Sequence, residues 1–238
     1  MVYRRYRRRR RRNYRTGGYI GRYRGAYAEI KFIDFLLRYE SGTTVIGQLL
    51  QGWNINSAGD TNNWTSLVTI PEGTGQSERI GRIVHIKKII IQGSCQLATA
   101  DPGANCAELM RFILYLDTQC NGAAATATDI YVDQTAAEDD IWGRRNIEQT
   151  HRFRILMDKV VTLNPMAAAG NGTTDTTAQR LKHIKWSKKC NIKIMYDSSA
   201  TTGALSTVVR NNIGFMIGTH HGGLAQFQGT IRLRFQDN

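Results

Sequence analysis

The chain has 238 residues, 41% of them hydrophobic, and a formal net charge of +13. That is enough apolar material for one good core with long loops to spare. No apolar run approaches the roughly 18 residues that a membrane helix needs, and the arginine-rich start is the opposite of a secretory signal's apolar segment. The expectation is a chain made and kept in the cytosol or nucleus.

The charge is unevenly distributed. The first 24 residues, MVYRRYRRRRRRNYRTGGYIGRYR, hold eleven arginines and no acid: Arg4, Arg5, Arg7, Arg8, Arg9, Arg10, Arg11, Arg12, Arg15, Arg22 and Arg24. The rest of the chain sets 21 basic residues against all 19 acids, a balance of about +2. The basicity is therefore expected to belong to the tail rather than to the folded body. A run such as Arg7 to Arg12 repels itself and stays extended until an anion neutralises it. Arginine's planar fork also matches phosphate better than the point charge of lysine. Tyr3, Tyr6, Tyr14, Tyr19 and Tyr23 are threaded through the same stretch, with Tyr27 just beyond. Cations interleaved with rings that stack on bases are the composition of a single-stranded nucleic-acid binder. A nuclear-import signal needs only a short basic run and no tyrosines, which makes import the secondary reading. Thr16-Gly17-Gly18, Gly21 and Gly25 then suit a flexible hinge. Residues 1–27 read as a nucleic-acid-binding arm and 28–238 as the folded domain.

Within that domain, residues 29–39 (EIKFIDFLLRY) mix apolar and charged residues as a first strand would. Residues 41–78 read as a long loop with short elements, Trp53 and Trp64 serving as anchors. Alternation is clear from Ile80 onward, in 83–97, 108–117, 151–163, 181–186, 191–197, 211–218 and 229–235. In 108–117, for example, Met110, Phe112, Leu114 and Leu116 alternate with Arg111 and Tyr115. Such alternation implies half-buried antiparallel strands, each with one wet face. Eight strands, glycine- and threonine-rich connectors and no convincing long helix indicate an all-β, eight-stranded antiparallel sandwich. Long connectors at 41–78, 118–150 and 164–180 beside a short one at 188–190 favour a jelly roll over a meander or propeller.

Chemistry is sparse. Cys95, Cys106, Cys120 and Cys190 lack C-x-x-C spacing and read as buried or idle thiols. His220-His221 has no further ligand at metal spacing, and His85, His151 and His183 lie within strand patterns. Glu138-Asp139-Asp140 is an acidic cluster that could pair with Arg144 and Arg145, although a solvated turn is at least as good a reading and a metal a poorer one. Gly73-Thr74-Gly75 lacks the spacing of a dinucleotide or phosphate loop. No enzyme activity, cofactor or metal is expected.

Several segments, in order, resemble one protein family. They are Ile70-Pro71-Glu72-Gly73, Ser77-Glu78-Arg79-Ile80-Gly81-Arg82, the run from Ile86 to Gly93, Arg111 to Asp117 followed by Asn121-Gly122, the block Arg152 to Lys159, and Arg232 to Asp237. Together with the arginine arm they are similar to the single-jelly-roll capsid proteins of small circular, Rep-encoding single-stranded DNA viruses, the circovirus-like group. The resemblance implies a jelly roll that assembles, in about sixty copies, into a small icosahedral shell around circular single-stranded DNA. Sixty arms would bring about 660 positive charges, the right order for a small genome. It also implies a place in the virion, a nuclear stage during assembly, and contact with host import machinery and a host receptor. A satellite-virus coat around single-stranded RNA shares fold and arm. A ribosomal or chromatin-associated protein with a basic tail is the non-viral alternative, weakened by the near-neutral domain.

Overall fold

Alternating apolar residues need a second apolar surface to cover them, and two antiparallel sheets supply it to each other. A computed structural model of the chain describes residues 29–39, 64–97, 108–123, 125, 127–132, 143–163, 181–197, 201–219 and 225–237. Its elements are β1 (Lys31–Tyr39), β2 (Trp64–Ser66), β3 (Ile83–Leu97), β4 (Glu108–Asp117), a single turn α1 (Ala127–Ile130), β5 (Tyr131–Val132), β6 (Arg144–Arg145), β7 (Phe153–Leu163), β8 (Lys182–Tyr196), β9 (Val208–Arg210), β10 (Asn212–Thr219) and β11 (Ala225–Asp237). One sheet runs β1-β11-β3-β8-β9, the facing sheet β2-β10-β4-β7, and β5 and β6 form a small hairpin.

With the short segments β5, β6 and β9 set aside, eight strands remain, and their pairing is nested. β1 pairs with β11, β2 with β10, β3 with β8, and β4 with β7, all antiparallel. An antiparallel ribbon folded in half and wrapped on itself gives that order, which defines a jelly roll. The fold class matches the expectation, but the eight strands are partitioned differently. Residues 181–186 and 191–197 belong to one continuous strand, β8, and the place of the eighth strand is taken by β2, inside the stretch read as loop. The short connector expected at 188–190 is a register shift instead: Ile86 pairs with Ile192 but Lys88 with Lys189. Polar Lys188, Lys189 and Asn191 interrupt the apolar alternation there, which imitates a turn. Trp64 lies in β2, while Trp53, Cys106, Glu138-Asp139-Asp140 and His220-His221 lie outside the described residues.

The main core lies between the sheets. Phe112 of β4 sits edge-on to Phe227 of β11 and to Trp186 of β8, each at 5.2 Å between ring centroids. It thus ties one sheet to the other. Ile89, Ile91, Leu114, Phe215, Ile231 and Leu233 fill the space around it. In β3 the inward residues are Val84 and Ile86 on one side of the bulge and Ile89, Ile91 and Cys95 on the other. The extra residue between Ile86 and Lys88 switches the phase, and so both halves point apolar residues inward.

The expectation of one wet face per strand fails for β4 and β10. Residues 110–117 and 212–218 are buried on both faces. A second cluster of Ile113, Tyr115, Ala125, Ile130, Tyr131, Phe153 and Met216 covers the back of the β2-β10-β4-β7 sheet. The segment that carries α1 and β5, within a connector read as loop, folds over that sheet. Arg111 holds it down, pairing with Asp158 at 2.6 and 2.9 Å and stacking over the Tyr131 ring at 4.4 Å. The Tyr131 hydroxyl donates to the same carboxylate at 3.2 Å.

Two predictions follow from this packing. A Cβ at Gly214 would lie 2.2 Å from the buried Tyr115 ring, and so Gly214→Ala should lose about 1–3 kcal/mol in a denaturant titration. The Tyr115 hydroxyl is buried without a hydrogen-bond partner, and Tyr115→Phe should be neutral or stabilising in the same assay. The second concerns the thiols. Burial pushes Cys95 up to about 12 and Cys120 up to about 11 from an ordinary value near 9.0. The unfolded chain therefore releases these protons first, and their contribution to stability holds below about pH 9 and is lost progressively above it. Iodoacetamide at pH 8 should spare Cys95 in the folded protein and alkylate it in urea.

Candidate nucleic-acid interface

All of the expected nucleic-acid-binding residues, from Tyr3 and Arg4 to Tyr23 and Arg24, lie outside the described residues. What is described is the place where the chain leaves them. β1 begins at Lys31, whose ammonium group is almost fully buried. It donates to the carbonyl of Glu78 at 3.0 Å and pairs with Asp237 of β11 at 2.9 Å. Asp237 in turn accepts from the backbone N–H of Ile80 at 3.1 Å, and the Phe32 N–H donates to the carbonyl of Gln76 at 3.2 Å. The first residues of β1 are therefore clamped between the last strand and the 71–81 loop. A buried ammonium is tolerated here because a carboxylate and a carbonyl replace its water.

That loop is itself held by a buried cation. Arg79 is 1% exposed, lies over the Tyr196 ring at 4.2 Å and donates from Nε to the Ile70 carbonyl at 3.1 Å and from Nη1 to the Gly81 carbonyl. Glu72 approaches it at 3.9 Å. The segments behind the family resemblance thus prove to be joints. Arg79, the Arg111–Asp158 pair, Arg152–Asp117 at 2.9 and 3.0 Å, Arg232–Asp34 at 2.6 and 2.7 Å, and Lys31–Asp237 each link stretches distant in sequence, or a loop to the core.

The outer face of the five-stranded sheet gathers cations that a domain balance of about +2 does not reveal. Strand register places its outward residues in rows. Phe32, Arg234, Lys88 and Lys189 form one row across β1, β11, β3 and β8, and Asp34, Arg232, Ile90 and Ser187 the next. Leu36, Thr230, Gln92 and Lys185 form a third, and Gln236, His85 and Lys193 lie towards the end where β1 starts. Among the described residues of these rows there is one carboxylate, Asp34, and Arg232 holds it. Lys185, Lys189, Lys193 and Arg234 are exposed. His85 reports the local field: burial, and then the positive charges of Lys87 and Lys193, lower its pKa.

The near-neutral sum hid this face because described acids such as Glu72 and Glu78 in the 71–81 loop, Asp117 on β4 and Asp158 on β7 sit in other places. The local signal was legible: residues 182–193 hold Lys182, Lys185, Lys188, Lys189 and Lys193 and no acid. Of the other residues singled out in the sequence, Arg145 donates to the Phe153 carbonyl at 2.6 Å, and Arg144 pairs with Val132 in the hairpin register. Gly73 and Gly75 pack against Glu78, whose carboxylate accepts from the Gly75 N–H at 2.7 Å, a turn of structural character.

Comparison with known proteins adds the following. No family model matches the chain. A curated relative, the coat protein of Maize white line mosaic Satellite virus, is 27% identical over 111 residues, which span 46% of this chain and 46% of that protein. The chain therefore matches less than half the length of this relative. Among solved structures, that of the infectious bursal disease virus Gt strain aligns over 88% of this chain and 33% of that one, at 12% identity and a TM-score of 0.22. So loose a superposition carries no argument.

The clamp at the start of β1 can be tested directly. Lys31→Ala leaves the largely covered Asp237 carboxylate beside a vacated site and should cost about 3 kcal/mol. Hydrogen exchange at the amides of Phe32 and Ile33 should accelerate more than exchange at β4.

Proposed function

We propose that this chain is a viral coat protein that assembles into a small icosahedral shell and packages single-stranded nucleic acid through its N-terminal arm, residues 1–27. The observation that carries the proposal is the join between a closed jelly roll and eleven arginines, with β1 firmly seated only a few residues after the last of them. A shell needs both parts: a rigid body that tiles, and a tail that reaches a polymer of opposite charge. The sequence similarity to a satellite-virus coat protein supports the same reading from an independent direction. The role is structural, and self-association is its central property.

In this reading the arm acts by neutralisation. Its arginines take phosphate oxygens in forked pairs, and its tyrosines stack on unpaired bases. Contact by all eleven arginines would give a slope of about −8 for binding against salt on logarithmic axes. Shell closure then follows from bringing subunits together on one polymer as well as from their mutual contacts.

Two polymers are in question. The circovirus-like segments favour circular single-stranded DNA, with assembly in the host nucleus. The satellite-virus relative favours the second reading, a satellite-type coat around single-stranded RNA. Purified protein should sediment as a particle of about sixty subunits. A monomer or dimer persisting at high concentration with nucleic acid present would overturn the shell. Nucleic acid extracted from the particles should be destroyed by either a DNase or an RNase, and the sensitive nuclease decides between the polymers. Removal of residues 1–27 should abolish packaging and leave the thermal midpoint of the sandwich within a few degrees.

A further inference from the structure

The arm accounts for none of the charge on the folded body, where a set of cations shares the outer face of one sheet. We propose that the outer face of the five-stranded sheet is a second contact surface for single-stranded nucleic acid, with phosphates on its lysine and arginine rows and a nucleotide seated over the Gly93–Gly229 pair. The proposal rests on the coat-protein reading in one respect: the polymer held here is the one that the arm packages.

Three observations carry it. The first is charge complementarity. Lys87, Lys88, Lys185, Lys189, Lys193 and Arg234 share a face on which the single described carboxylate is already engaged by Arg232. Lys185, Lys189, Lys193 and Arg234 are exposed and Lys87 and Lys88 half-exposed, an array of one sign that favours a polyanion over solvent ions through counterion release. Along β8, Lys185, Lys189 and Lys193 recur every fourth residue, roughly 13 Å apart, and the neighbouring rows of β3 and β11 fill the intervals.

The second is the mixture of groups. Phe32 and Leu36 are exposed on the same face, 36% and 65%, where an aromatic ring beside an arginine plane offers a base something to stack on. The Arg232 guanidinium lies over the Phe32 ring at 4.6 Å.

The third is shape. Gly93 and Gly229 face each other directly in the β3–β11 register, and a shallow open depression of about 520 Å³ lies over them. Its walls are Gln92, Ser94, His183, Lys185, Gln228 and Thr230. Amides, hydroxyls and an imidazole are the donors and acceptors that read the edges of unpaired bases, and the lysine supplies the adjacent phosphate contact. The glycines form its floor, with the buried Phe227 ring directly beneath them on the core side. A Cβ on either would fall within 2.6 Å of the Phe227 ring and of the opposite strand's backbone, and so neither position accepts a side chain without displacing the floor.

The face also lies next to the arm. The row that begins with Phe32 is one residue beyond Lys31, where the arm joins the body.

The test uses full-length protein stripped of nucleic acid in high salt and titrated with fluorescein-labelled oligothymidine and oligouridine of twenty nucleotides over a range of salt. The triple variant Lys185→Gln, Lys189→Gln, Lys193→Gln should make the logarithmic salt slope shallower by about 2, at 0.7 per lost phosphate contact. The matching triple Lys→Arg variant should restore it, and both should keep the wild-type thermal midpoint. Ultraviolet crosslinking of wild-type protein should attach nucleotides to peptides of β1, β3, β8 or β11. An unchanged slope in the glutamine variant overturns the proposal, as do crosslinks confined to residues 1–28. An unchanged slope combined with loss of particle assembly overturns it in favour of a second copy of the chain as the occupant of this face. The coat-protein reading fails separately, through wild-type protein that never forms particles, and a shallower slope in the variant would still sustain the face.

Discussion

The pairing of the first long strand with the last is the constraint from which the rest of the molecule follows. β1 lies along β11 for nine residues, from Lys31 opposite Phe235 to Tyr39 opposite Phe227. β11 is in turn the strand through which β1 reaches β3 and the rest of its sheet. The sheet that carries the basic face is therefore complete only when both ends of the folded body are in place. The Lys31–Asp237 pair fastens that closure at its outer corner and fixes the point from which the preceding residues depart.

Ionic contacts divide into two kinds. Those that join elements are buried or forked and matched one to one, as in Arg152 with Asp117, whose carboxylate is 1% exposed. Removal of one partner strands the other in a medium that solvates it poorly, and this makes such pairs structural irrespective of their net worth. The cations of the outer face are different in kind, being exposed, numerous and of one sign. They contribute little to the stability of the sandwich and mutually repel. A folded surface keeps such an array at some cost.

The fold was legible in the sequence because β-strands announce themselves by alternation, and β3, β4, β7, β10 and β11 fall where that pattern places them. β8 was read as two strands because Lys188 and Lys189 next to Asn191 look like a turn, whereas the chain absorbs them as a bulge. β2 was missed because three residues, Trp64-Thr65-Ser66, are too few to establish a period. The double burial of β4 could have been foreseen from Ile113 and Tyr115 on the side assigned to water, but the covering segment comes from a connector with no periodicity of its own. The basic face escaped because charge was summed over the domain. Summation along a chain discards the one quantity that matters to a polyanion, which is how the charges share a surface.

The bulge in β3 bears on how such a chain can change over time. Between Ile86 and Lys88 the strand carries one residue more than β11 opposite it, and the bulge absorbs this residue so that Val84 and Ile86 face inward with Ile89 and Ile91. Loss of Lys87 would restore regular alternation, whereas a single-residue deletion or insertion elsewhere in β3 needs a further irregularity to keep histidine and lysine out of the core. Length change in this strand is thus confined to the bulge, the one place where a residue can be lost and the apolar face kept continuous.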